Sequence, residues 1–144
     1  MSFTKIMIHA VWGTKKRVAM MTSDIRPTII QHIRTNAISK GIYIDRLNGH
    51  HDHLHCLMDL HPDISLSKVL QLIKGESAYW INQQSLISSR FEWAEEYYAV
   101  SVSESMLEQV RWYIDGQEIH HKKVTFQQEY EEFIKEYNDL KGLW

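Results

Sequence analysis

The sequence predicts an α+β fold of the ferredoxin-like (RRM-like) class, an antiparallel sheet with helices on one face and a further helix toward the C-terminus. Three observations predict it. The apolar periodicity switches between two and about 3.6 residues in the order β-α-β-β-α-β, followed by two more helices. The central strand candidates flank an Asn48-Gly49 pair, the strongest short-range hairpin signal. The chain of 144 residues has 44% hydrophobic and 24% charged residues with only 2 Pro, which suits one ordered domain over 1–144.

Each element has its own grounds. Residues Phe3 to Trp12 are rich in β-branched and aromatic side chains, with Met7 and His9 on one parity and Ile8 and Ala10 on the other, as in a strand. Ile25, Ile29, Ile33 and Ala37 recur every four residues, a helix that Gly41 should stop. Ile42 to Leu47 and His53 to Leu60 read as paired strands. Ser65 is placed to cap a helix carrying Leu66, Val69, Leu70 and Ile73 toward Asn82, with Gly75 inside it at a cost of about 1 kcal/mol relative to Ala. Glu96 to Val102 is the fourth strand. Ser103 should cap a helix running to about His121, and Thr125 with Gln128 a last helix from about Phe126 to Tyr137.

Composition narrows the functional classes. No apolar run reaches roughly 18 residues, and the N-terminus carries no charged region ahead of a long apolar one. Neither a membrane span nor a secretory signal is supported, and the single Cys56 agrees with a reducing compartment, so a cytoplasmic location and a buried thiol are expected. The net charge of −2 hides an asymmetry: 10 Lys+Arg face 5 Asp+Glu through Gly75, against 6 and 13 after it. A basic N-terminal half could meet a polyanion.

Four of the nine histidines fall between His50 and His55. On a strand Leu54, Cys56 and Met58 share one face, and His51, His53, His55 and Leu57 the other. With the apolar face in the core, the histidines should lie on the open face, where imidazoles at i and i+2 can converge on one divalent ion. On the helix after Ser103, the side chains of Met106, Val110, Tyr113 and Gln117 fall along one face. A glutamine one turn after a tyrosine on an inward face needs a partner for its amide, and a metal or a phosphate would be one.

Taken together, "IHAVWGTKKR", "HDHLHCLMDLHPDISLSKVLQLIKGESAYWIN" and "WAEEYYAVSVSESMLEQVRWYIDGQEIHH" resemble the single-tyrosine HUH transposases of the IS200/IS605 insertion-sequence family. His-hydrophobe-His joined to Tyr-Ile-x-x-Gln, in this order and at this distance, is fairly specific. The resemblance implies a catalytic C-terminal helix with Tyr113 as the nucleophile, and His53, His55 and Gln117 as ligands of Mg²⁺ or Mn²⁺. It implies cleavage and rejoining of single-stranded DNA with hairpin ends through a 5′-phosphotyrosine, by a homodimer whose tyrosine helix can complete the partner's site. His51 stands where the family commonly has proline and so is not expected to be a third ligand, and Gly116 stands where relatives carry asparagine, loosening the helix beside Gln117. Lys15, Lys16 and Arg17, with Arg46 and Lys74, could contact phosphates, and Trp12, Trp80 or Trp112 could stack on a base, although each tryptophan is first expected in the core. Two other readings compete. One is a catalytically inactive or domesticated module that binds single-stranded DNA or hairpins, and the other a histidine-triad nucleotide hydrolase in which His53 is the nucleophile and Tyr113 has no role.

Overall fold

Strands β1 (Met7–Gly13), β2 (Tyr43–Gly49), β3 (His53–Asp59) and β4 (Tyr98–Ser101) form one antiparallel sheet in the order β2-β3-β1-β4. The structure, a computed structural model, describes residues 2–120 together with Thr125, Gln128, Glu129, Glu131, Glu132 and Lys135. Helices α1 (Arg26–Ser39) and α2 (Leu66–Gln84) connect the strands in the predicted order and cover one face of the sheet. Gly41 ends the first connection at φ +71°, in the left-handed region that favours glycine, and the Ser65 hydroxyl accepts the Lys68 amide at 3.1 Å to start α2.

The alternation along β1 and β3 divides the molecule into two apolar clusters. Ala10, Trp12, Leu54, Cys56 and Met58 face α1 and α2, where they meet Ile29, Ile33, Leu70 and Ile73. Burial pushes the Cys56 thiol up to about 12, so it stays protonated. The opposite face is not open. Met7 and Leu57 pack there against Leu107 and Ile114 of α3 (Leu107–Asp115), with Val110 and Tyr113 beside them. Each fully buried Leu or Ile contributes roughly 1.5–3 kcal/mol, enough for this small cluster to hold α3 on the sheet.

Several boundaries move. The hairpin turn is His50 to Asp52, with Gly49 still in β2, and the His50 amide donates to the His53 carbonyl at 3.0 Å. The helix expected from Ser103 begins as a 3₁₀ turn over Glu104–Met106 without a side-chain cap. It then breaks at Gly116 into α3 and a short α4 (Gln117–His120). The Thr125 and Gln128 capping box is present in both directions, at 3.0 and 3.2 Å. Gln128, Glu129, Glu131, Glu132 and Lys135 of that last helix are helical, while its other residues, and His121, lie outside the described residues. No described helix is long and apolar enough to cross a membrane.

Candidate metal and tyrosine site

β3 presents His53 and His55 on the face covered by α3, so both imidazoles are fully buried rather than open to solvent. The parity read from the sequence is correct; the cover over it was not visible there, because it comes from a helix some fifty residues later in the chain. Gln117 sits at the start of α4 directly after the Gly116 break and is also fully buried, its Oε1 3.2 Å from His53 Nε2. Tyr113, one turn earlier, reaches the same place, its ring nearly perpendicular to His55 with centroids 5.5 Å apart. His50 and His51 stack on each other in the turn, with centroids 4.2 Å apart.

Three further residues join these four. Asp52 Oδ1 lies 2.8 Å from His53 Nδ1, and His9 Nε2 lies 2.8 Å from His55 Nδ1. Glu129 comes from the C-terminal segment: its Oε1 is 2.7 Å from His55 Nε2 and 3.7 Å from His53 Nε2, and its Oε2 accepts the Tyr113 hydroxyl. The sequence signals were partial. His9 had the right parity on its strand, but nothing local says that it lies diagonally across from His55, and Glu129 is one of several acidic residues near the C-terminus.

The electrostatics follow from burial. Desolvation pulls the His9 imidazole down to about 4 and His55 to about 3, against a smaller upward pull from Glu129, so both are neutral at pH 7. Desolvation, then the hydrogen bond to Glu129 and its charge, raise Tyr113 well above the usual phenol range, with the Gln117 amide acting in the other direction. The phenol holds its proton at rest.

The donor set fits a divalent cation. When His53 donates from Nδ1 to Asp52, its Nε2 turns a lone pair toward Gln117 Oε1 3.2 Å away, an arrangement a shared cation relieves. Gln117 Nε2 is buried without a hydrogen bond of ordinary geometry among the described residues, while its Oε1 reaches His53. Asp52 stands as an acceptor at His53 Nδ1, and His9 Nε2 can accept at His55 Nδ1 once an ion rather than Glu129 holds His55 Nε2, the usual support of imidazole ligands.

The basic residues divide. Lys15, Lys16 and Arg17 follow Gly13, the strand partner of His53, and so stand at the site's end of β1. Lys16 and Arg17 hold φ of 57° and 56°, left-handed for non-glycine residues, in a turn that Thr14 ties through its hydroxyl to the Val18 carbonyl at 2.7 Å. Lys15 pairs with Glu92 at 2.8 Å, and Arg46 with Asp45 and Asp115. Lys74 lies on α2, across the sheet from the histidines, its amine 3.1 Å from the Glu95 carbonyl. Among the tryptophans Trp12 is core and Trp80 stacks half-buried on His32. Trp112 departs from the core expectation at 80% exposed, because it points away from the sheet on the helix that turns Tyr113 toward it.

Comparison with known proteins gives one consistent picture. A family profile described as "Transposase IS200 like" matches residues 2–117. ISDra2 transposase TnpA of Deinococcus radiodurans is 24% identical over 115 residues, covering 76% of this chain and 81% of that protein. The crystal structure of a transposase from Deinococcus radiodurans superposes with a TM-score of 0.65 at 22% identity, over 81% of this chain and 93% of the other. A REP-associated tyrosine transposase bound to a REP hairpin superposes with a TM-score of 0.58 at 14% identity, over 85% and 71%.

Proposed function

The chain belongs to the IS200-like transposase family, and from that premise we propose that it cleaves and rejoins single-stranded DNA at insertion-sequence ends through a covalent 5′-phosphotyrosine on Tyr113. The observation that carries the reading is the meeting of Tyr113 with His53, His55 and Gln117 within one chain, from elements more than fifty residues apart in sequence.

The chemistry needs little beyond positioning and charge. In-line attack on a phosphodiester places negative charge on the non-bridging oxygens, and a divalent ion, Mg²⁺ or Mn²⁺ held by His53, His55 and Gln117, supplies the charge neutralisation there. Tyr113 presents its hydroxyl from α3 and passes its proton to the Glu129 oxygen that accepts it as the phenol oxygen bonds to phosphorus, while the 3′-oxygen leaves and takes up one proton from solvent to become a free 3′-hydroxyl. The phosphotyrosine conserves the energy of the phosphodiester, so the 3′-hydroxyl of another strand can reverse the step and join the ends.

The substrate in this reading is single-stranded DNA with hairpin ends, in keeping with the REP hairpin bound by the related transposase. Lys15, Lys16 and Arg17 are assigned to phosphate contact beside the site, with Arg46 and Lys74 as secondary contacts. A cytoplasmic homodimer completes the reading. Trp112 and Ile119, exposed on α3 and α4, offer the second copy an apolar surface, while each chain already brings its own Tyr113 to its own histidines.

The test is to incubate the protein with labelled single-stranded hairpin DNA and Mn²⁺ or Mg²⁺ and look for an adduct that survives denaturation. The adduct is expected with the native chain and absent with Tyr113→Phe or a chelator. An adduct that forms equally with Tyr113→Phe overturns the nucleophile. Binding of hairpin DNA without an adduct at any end sequence overturns catalysis and leaves a binding module.

A further inference from the structure

We propose that Glu129 is an additional ligand of the divalent ion, through Oε1, and that its Oε2 tethers Tyr113 to the same centre. This rests on the transposase reading of the site but reaches outside the stretch that carries it, since the family match ends at residue 117.

Geometry is the first ground. One ligand atom each from His53, His55 and Glu129 lie within 4.8 Å of one another, all three residues buried. Glu129 Oε1 stands 2.7 Å from His55 Nε2 and 3.7 Å from His53 Nε2, and Gln117 Oε1 3.2 Å from His53 Nε2. Ligand atoms bound at about 2.1 Å and at right angles around an ion sit about 3 Å apart, so the 2.7 and 3.2 Å separations are those of neighbouring ligands, while Glu129 and His53 at 3.7 Å have to close slightly.

Charge is the second. Two neutral imidazoles and an amide bring no negative charge to a dication held in a water-poor site, and burying an uncompensated ion is expensive. Glu129, 2% exposed, brings a carboxylate to that place. Two nitrogens and two oxygens also suit Mn²⁺ better than a purely nitrogenous site would.

The carboxylate has two ends, and the second decides what the ligand does. With Oε1 on the ion, Oε2 holds the Tyr113 hydroxyl, so one side chain sets the distance between nucleophile and cation. Glu129 is therefore a positioning residue toward Tyr113 and a ligand toward the ion.

The test uses the full chain, stripped of metal and titrated with Mn²⁺ alone, with binding read by calorimetry and by the loss of the free-ion electron paramagnetic resonance signal. Native protein is expected to bind one Mn²⁺. Glu129→Gln, which keeps the shape and a hydrogen-bonding partner for Tyr113, is expected to weaken binding at least tenfold, while Glu131→Gln, at an exposed position on the same segment, binds as the native chain does. Should Glu129→Gln fail to fold, crystals of the native chain grown with Mn²⁺ answer directly: anomalous density within about 2.2 Å of a Glu129 oxygen supports the assignment. Unchanged affinity in Glu129→Gln, or an ion on the histidines with Glu129 turned away, overturns it. Either of those results beside a Tyr113-dependent adduct sinks the ligand and leaves the transposase reading standing, whereas a native chain that binds no Mn²⁺ sinks both the ligand and metal assistance.

Discussion

His9 shows what a single side chain adds to this site. When His55 gives Nε2 to an ion, its remaining proton sits on Nδ1 and needs an acceptor, and His9 Nε2 is 2.8 Å away. Removing such an outer partner typically weakens metal affinity 10- to 100-fold, so His9→Ala is expected to raise the Mn²⁺ dissociation constant by about that factor, measured by the same titration; unchanged affinity would show that His55 needs no acceptor. The same burial makes stability depend on pH. His9 and His55 titrate near 4 and near 3 in the fold but near 6.5 when unfolded, so on acidification the unfolded chain takes up protons first. Stability of the metal-free protein is therefore full above pH 6.5 and falls as the pH drops below it, because the unfolded chain binds protons that the buried pair refuses. Urea unfolding between pH 7.5 and 4.5 checks the sign, and a midpoint that rises on acidification contradicts it. At this scale the sequence was informative only for residues with local neighbours. His53 and His55 announce themselves by alternation, whereas His9, Asp52 and Glu129 gain their roles from cross-strand register, turn geometry and a distant segment.

The elements were legible where periodicity is strong and misplaced where a turn or a break decides. Asn48-Gly49 reads as the tip of a hairpin, but Gly49 lies in β2 because the following turn crosses it closely: a Cβ there would stand 2.1 Å from the His53 carbonyl oxygen and 2.8 Å from Leu54 Cα, both backbone atoms. Gly49→Ala is thus expected to displace the start of β3, costing about 1–3 kcal/mol by the usual scale of overpacking, and to weaken Mn²⁺ binding with it. Gly75 is the counterexample. It lies inside α2 with nothing within 4 Å of a would-be Cβ, so Gly75→Ala should stabilise the fold by about 0.5–1 kcal/mol and leave the site untouched. Urea midpoints of the two variants should move in opposite directions; a shift of both the same way would mean that one of these local environments is wrong. The break at Gly116 was hidden for a different reason. The i, i+3, i+4 spacing continues through Tyr113 to Gln117, while the groups that end α3, the Asn48 amide donating to the Ile114 and Asp115 carbonyls at 3.0 and 3.3 Å, come from β2.

Over the whole molecule the order of strands and helices could be read from the sequence, since every change of period marks a change of element, and the sheet order follows from that topology. Whether the Tyr113 helix packs on its own sheet could not, because nothing local distinguishes a helix folded back on its own chain from one handed to a second copy. The structure shows α3 and α4 fastened to their own chain at several points. Arg111 donates through Nε and Nη2 to the Asp45 carboxylate at 2.9 and 2.8 Å, where the register of β2 shifts. Buried Arg26, at the start of α1, holds Glu118 beside Gln117 and donates to the Met21 carbonyl at 2.9 Å. Ile114 and Leu107 add the apolar contact to Leu57 and Met7. Exchange of the helix would require all of these to open and re-form across an interface. A mixture of Tyr113→Phe and His53→Ala chains, each inactive alone, is therefore expected to stay inactive, since neither chain retains both the nucleophile and the intact histidine pair. The two chains can be distinguished by size with a cleavable tag. An adduct appearing on the His53→Ala chain alone would show that its tyrosine serves the partner's histidines, and that the fastenings around Arg111 and Arg26 exchange between subunits.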